Sequence, residues 1–208
     1  MPKLDLKKTL KQLYQPSAKD FSVVDVPPLP YLMIDGHGDP NTAAAYVEAV
    51  QALYGLAYTL KFQLKKADPA LDFGVMPLEG LWWAADMANF AALSKADWDW
   101  TMMILQPDYV TAAQVEAARA EALRKKGGAG GAPGLARVRL ETYHEGPAAQ
   151  IRYFGAYADE GLTIARLHAF IAAQGHTLRG KHHEIYLGDP RRTAPAKLQT
   201  VIRQPFEP

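Results

Sequence analysis

The clearest pattern in the chain is Tyr46, Val47, Val50, Leu53, Tyr54, Ala57, Leu60 and Leu64 recurring with a helical period. Lys61, Lys65 and Lys66 follow where a helix carries its negative pole. The turn Gly36-His37-Gly38-Asp39-Pro40-Asn41 leads into this helix, with Asp39 as its predicted cap and Pro40 at the first helical position. Upstream, Leu6, Leu10, Leu13 and Tyr14 form a short amphipathic lead-in within residues 1–20, stopped by Pro16. Phe21 to Val26 and Tyr31 to Asp35 predict two strands, separated by Pro27, Pro28 and Pro30, which cannot donate to a ladder. Phe73 to Leu78 and Leu81 to Ala85 predict two more around Glu79-Gly80, and Trp98 to Leu105 a further one. Thr111 and Gln114 make a capping box before an Ala-rich helix reaching about Lys126. The glycine-rich run Gly127 to Gly134 reads as a flexible linker.

The second half repeats this grammar. Strands are predicted over Arg137 to His144, Ala149 to Phe154, His183 to Leu187 and Leu198 to Arg203, with a helix from about Asp159 to Ala173. Each half reads β-β-α-β-β, and Gly155-Ala156-Tyr157-Ala158-Asp159 precedes its helix much as Gly36-His37-Gly38-Asp39 precedes the first. The expectation is one α+β domain over 21–208, with a first module at 21–126, the linker at 127–134 and a second module at 135–208.

Composition narrows the partners. A net charge of +1, with no basic run longer than Arg124-Lys125-Lys126, lacks the electrostatic footprint of a nucleic-acid binder, so no direct nucleic-acid partner is expected. No cysteine is present, which excludes disulfides, thiolate nucleophiles and Cys-ligated zinc. The charged opening residues do not form a secretory signal, and no apolar run reaches the roughly 18 residues of a membrane span. A cytoplasmic protein without a membrane partner is expected. Six histidines are present, with His182 and Glu184 two apart on one strand, but no H-E-x-x-H spacing occurs, so no metal and no other cofactor is expected. Neither a phosphate loop nor a Gly-x-Ser-x-Gly elbow is present.

The run Glu184-Ile185-Tyr186-Leu187-Gly188-Asp189-Pro190, followed by Pro195 and Lys197-Leu198, resembles the C-terminal signature of GyrI-like small-molecule-binding domains. Gly146-Pro147-Ala148-Ala149-Gln150-Ile151 and Gly155-Ala156-Tyr157 resemble the family's strand and turn. The blocks Met33 to Asn41 and Met76 to Trp83 resemble a stand-alone subgroup that includes cyclopropanoid cyclopropyl hydrolases. The resemblance implies duplicated strand-helix-strand-strand modules in a pseudo-twofold antiparallel sheet, with helices on one face and a ligand groove on the other. It also implies an aromatic cage and a glutamate-activated water that opens the strained ring of flat DNA-alkylating natural products. Relatives that sense drugs for transcription carry a helix-turn-helix region, which this chain does not show ahead of its first strand.

Strand alternation separates Glu184 and Tyr186 from His183, Ile185 and Leu187. The apolar pair is expected to meet the helices, leaving Glu184 in the groove as the catalytic candidate, with burial raising its pKa. The plainer reading of Glu184 is a solvated strand carboxylate paired with Arg152 or Arg203. Trp82 and Trp83 must face opposite sides, so one of them can line a cage. Trp100 sits in a row with Trp98, Met102 and Ile104 that fits core or cage equally, and Tyr143, Tyr153 and Tyr186 complete the ligand-binding candidates. Glu79 is either a second pocket acid or a hairpin residue facing water. The expected partner is a small planar aromatic or cationic molecule, with oligomeric state left open. Hydrolysis of a strained ring, sequestration without turnover, and a protein-interaction role like gyrase inhibition are the three functions this pattern allows.

Overall fold

A computed structural model describes residues 3–87, 93–125 and 133–207. Two short helices, α1 (Leu6–Thr9) and α2 (Lys11–Tyr14), precede β1 (Ser22–Val26) and β2 (Leu29–His37). The long helix α3 spans Ala44–Ala67, followed by β3 (Leu78–Trp83), β4 (Asp99–Leu105) and α4 (Ala112–Lys125). The second half contains β5 (Arg139–Tyr143), β6 (Gly146–Phe154), α5 (Gly161–Ala173), the short β7 (Thr177–Leu178), β8 (His182–Tyr186) and β9 (Gln199–Glu207).

Every strand pairing is antiparallel, in the order β1-β6-β9-β8-β3-β4-β2-β5, with β7 on β9. Exchanging each strand of one module with its counterpart in the other reverses this order into itself. The pseudo-twofold therefore runs between β3 and β8, and each module lends its first strand to the other: β1 pairs with β6, and β5 with β2.

Several local expectations change. Asp39 does not cap α3: its Oδ1 accepts from the Asn41 backbone N–H at 2.9 Å in a local turn, and the helix starts four residues later behind Ala43. Glu79-Gly80 is no hairpin, and Phe73 to Leu78 is no strand. Both residues lie inside the continuous β3, because its two neighbours β4 and β8 hold it extended throughout. The Thr111–Gln114 box does form, with reciprocal bonds of 2.8 and 3.3 Å. Of the predicted linker, 127–132 lie outside the described residues. Gly134 is buried in a 3₁₀ turn where an added Cβ would come within 3.0 Å of Ala52 on α3, so this end is packed chain.

Opposed residues in an antiparallel pair share a face. Gly80, Trp82, Glu184, Tyr186 and Ile202 thus share one face of the sheet, and Glu79, Leu81, His183, Ile185 and Arg203 the other. Helix α3 lies on the first face, where Tyr46 contacts both Trp82 and Trp100. Helix α5 lies on the same face, packing Leu167 and Ile171 around Ile202 and Phe206. The long helices α3 and α5 do occupy one side, while the short α2 packs on the other. The groove, expected on the other, opens between α3 and α5 on their own side, because the two helices sit over separate modules and leave the seam above β3 and β8 uncovered. Among the described residues, no helix is long and apolar enough to cross a membrane.

Candidate functional site

The groove is a cleft of about 1610 Å³. Its floor carries Trp82 from β3 with His182, Glu184 and Tyr186 from β8, one wall carries Tyr46, Val50 and Tyr54 of α3, and the other Glu160, Ile164 and His168. Gly80 makes the floor possible. It lies directly opposite Glu184, and an added Cβ would come within 2.7 Å of the Trp82 indole nitrogen, so only glycine lets that ring lie across the strand. The Trp82 indole then donates to the Tyr186 hydroxyl at 3.1 Å and stacks near Tyr46, with Trp98 at its edge.

Glu184 sits at the centre, its side chain 16% exposed. The Tyr186 hydroxyl donates to its Oε2 at 2.7 Å, and His182 Nε2 lies 3.2 Å from its Oε1. A relay therefore runs from the Trp82 N–H through the Tyr186 O–H to the carboxylate. Burial works to raise the Glu184 pKa, but the His182 and Tyr186 hydrogen bonds and the charge of Lys95 outweigh it, so the pKa is lowered and the group is ionised. This reverses the expected direction. The Tyr186 phenol is held well above its ordinary range by burial and the adjacent carboxylate, and so remains a donor.

The proton sits instead on Glu160, a residue that sequence reasoning missed. Glu160 precedes α5, is only 2% exposed and lies beside Glu184 and the Thr200 hydroxyl. Burial, then the charge of Glu184, raises its pKa to about 8. Two carboxyls in one apolar cleft cannot both ionise cheaply, so one stays an acid while the other is a base. In the sequence Glu160 looks like a first-turn helix acid beside Asp159. Only the packing of α5 on β6, β7 and β9 brings it beside Glu184.

The remaining candidates divide by face and depth. Trp82 and Tyr186 line the cleft. Trp83 points the other way, with the Lys181 ammonium 3.3 Å from its ring centroid. Trp100 is core: fully buried, donating to the Gly38 carbonyl at 3.2 Å and meeting Tyr46 edge-on. Tyr143 packs against the main core from the edge strand β5, and Tyr153 against the smaller core under α5; neither lines the cleft. Tyr46, Tyr54 and Tyr157 do line it. The helical period gave the first two only as core positions.

Glu79 is neither turn residue nor pocket acid. It is fully buried on the far face, accepting from the Tyr14 hydroxyl at 2.6 Å and lying 3.0 Å from His183 Nε2. His183 Nδ1 lies 2.9 Å from Glu145, which in turn accepts from Arg203 at 3.0 Å. Arg203 also donates to Gln150 and to the Leu13 carbonyl, fastening the α2 segment to the sheet. Burial opposes ionisation of Glu145, but His183 and Arg203 outweigh it and hold its pKa down to about 2. Burial likewise opposes the charge on His183, yet Glu145 raises its pKa.

A family model, the GyrI-like small molecule binding domain, matches residues 19–206. A structure of an uncharacterized conserved protein from Listeria innocua is 38% identical, with a TM-score of 0.87, covering 99% of this chain and 100% of that one. A hydrolase from Listeria innocua is 36% identical, with a TM-score of 0.83 and the same coverage. The EcmrR C-terminal domain shares the fold at 12% identity and a TM-score of 0.55, covering 90% of this chain and 97% of that one. No curated protein matches. With the cleft, the duplicated sheet and the family match in agreement, the chain belongs to the GyrI-like small-molecule-binding family.

Proposed function

We propose that this protein binds flat aromatic or amphipathic xenobiotics in the cleft and adds water to a cyclopropane ring they carry. The observation that carries this reading is the ionised Glu184 at the bottom of an aromatic-walled cleft, oriented from both sides by His182 and Tyr186. Aromatic faces such as Trp82 and Tyr46 hold a planar molecule by stacking, about 0.5–1.5 kcal/mol per pair beyond burial. Glu184 takes a proton from water as its oxygen attacks a ring carbon. The ring C–C bond breaks, and its electron pair passes into the conjugated system of the substrate, which is protonated in turn. General-base assistance of this kind contributes about 10²- to 10⁴-fold. The 36% identity to the Listeria innocua hydrolase over almost the full length supports water addition.

Turnover of a planar cyclopropane-bearing substrate, followed by chromatography of the hydrated product, tests the reading. Glu184→Gln is expected to retain binding and to lose ring opening by about 10²-fold or more. Binding by the intact protein with no turnover would overturn hydrolysis and leave sequestration, in which Glu184 acts as counter-charge to a cationic ligand.

A further inference from the structure

We propose that the cleft is also built to hydrolyse epoxides of flat aromatic molecules, with Glu184 as the base and Glu160 as the acid. This rests on the reading of Glu184 as a base but extends it to a different ring. A cyclopropane sends its electron pair away into conjugation, so an acid beside the base does nothing for its leaving group. An epoxide leaves its electron pair on the ring oxygen, which stays bonded to the carbon next to the one under attack. That oxygen needs a proton donor only a few ångströms from the base.

Glu160 meets this requirement geometrically. It lies next to Glu184, lines the same cleft and is almost fully buried. Its Oε1 is buried and has no hydrogen-bond partner among the described residues, an unmet hydrogen-bonding demand beside the cleft. The charged and titratable groups around it are Glu184 and Tyr186 on β8, Lys95 before β4, Tyr153 on β6 and Tyr157 in the turn before α5, with the Thr200 hydroxyl of β9 alongside and His182 bonded to Glu184. Lys95, the lysine among them, is exposed. The Tyr157 phenol, pushed up to about 12 by burial and the two carboxyls, keeps its proton.

The reaction balances without a cofactor. Water forms a C–O bond to one ring carbon while Glu184 accepts its proton. The epoxide C–O bond breaks, its electron pair stays on oxygen, and that oxygen takes the proton of Glu160 to give a vicinal diol. Glu184 then holds a proton and Glu160 has lost one. Because the two carboxyls are adjacent, the proton passes back across the pair and restores the starting state.

The test incubates the full chain with phenanthrene 9,10-oxide in ¹⁸O-labelled water and, in parallel, with a planar cyclopropane substrate. The expected result is a diol carrying one solvent oxygen, formed at a rate that declines as pH rises through about 8. Glu160→Gln and Glu184→Gln, with melting temperatures checked to show that each folds, are each expected to cut the rate by about 10²-fold or more. Cyclopropane opening with no diol above the uncatalysed rate would overturn this inference and leave the hydrolase reading standing. Failure with both substrates would sink both. Diol formation by Glu160→Gln at the wild-type rate, with no alkaline decline, would remove Glu160 from the role.

Discussion

The two faces of strand β8 treat carboxylates in opposite ways. On the closed face, Glu79 and Glu145 are matched by His183 and Arg203, and every charge is met by a partner within about hydrogen-bond distance. On the cleft face, Lys95 acts on both Glu184 and Glu160 and His182 bonds Glu184, but among the described residues no buried guanidinium pairs with either acid. The closed cluster holds Glu145 ionised between His183 and Arg203, whereas the open pair divides into a carboxylate and a carboxylic acid. Three consecutive residues, His182, His183 and Glu184, feed both arrangements by simple alternation. A buried acid with its counter-ion is architecture. A buried acid pair short of one cation is chemistry held ready, at some expense in stability.

The comparison is broken most severely at Arg203. Arg203→Met leaves Glu145 buried without its guanidinium and releases the Leu13 carbonyl, and should destabilise the fold by about 3–5 kcal/mol in urea unfolding. A loss below about 1 kcal/mol would mean that the closed cluster is not compensating charge. The aromatic candidates give the next largest effect. Trp82→Ala should weaken binding of a flat ligand by roughly tenfold, as expected for a stacked ring and its buried area, while Trp83→Ala changes affinity less than about twofold. Equal effects from the two would contradict the assignment of faces.

Smaller, but sharper, is the pH dependence of stability. The folded pKa of Glu145, about 2, lies below its ordinary 4.5, so its contribution is present above 4.5 and lost as pH falls towards 2. His183 is raised above 6.5, so its contribution is full below 6.5 and lost as pH rises through the folded value. Glu160, raised from 4.5 to about 8, likewise makes folding less favourable as pH climbs across that window. Urea midpoints should therefore decline on both the acid and the alkaline side. Glu160→Gln should raise the midpoint at pH 8 relative to wild type while leaving the acid limb in place.

Much of this arrangement is written in the residue pattern. The 3.6-residue period predicts α3, the repeated β-β-α-β-β grammar predicts an internal duplication, the family resemblance implies the pseudo-twofold sheet, and alternation alone separates Glu184 and Tyr186 from His183. What alternation cannot supply is which face the helices cover. Ile185 and Leu187 look like the helix-facing residues, yet their face is closed by the α2 segment around a polar cluster, and α3 and α5 flank the cleft on the Glu184 face. Glu79 was hidden for the same reason, since a Glu-Gly pair reads as a turn until neighbouring strands fix it in a ladder. Glu160 is a matter of tertiary crossing, because no local signal separates a first-turn helix acid facing water from one lying over a strand of the opposite register.

One carboxyl of the cleft pair, Glu160, is protonated at neutral pH while the other, Glu184, is not. Carbon-13 NMR of protein labelled at the Glu carboxyl carbons, assigned with Glu160→Gln and Glu184→Gln, reads this directly. The account predicts a Glu160 resonance in its protonated position at pH 7 that titrates near pH 8, with Glu184 ionised throughout. Two carboxylates already ionised at pH 6, with no titration above it, would contradict it.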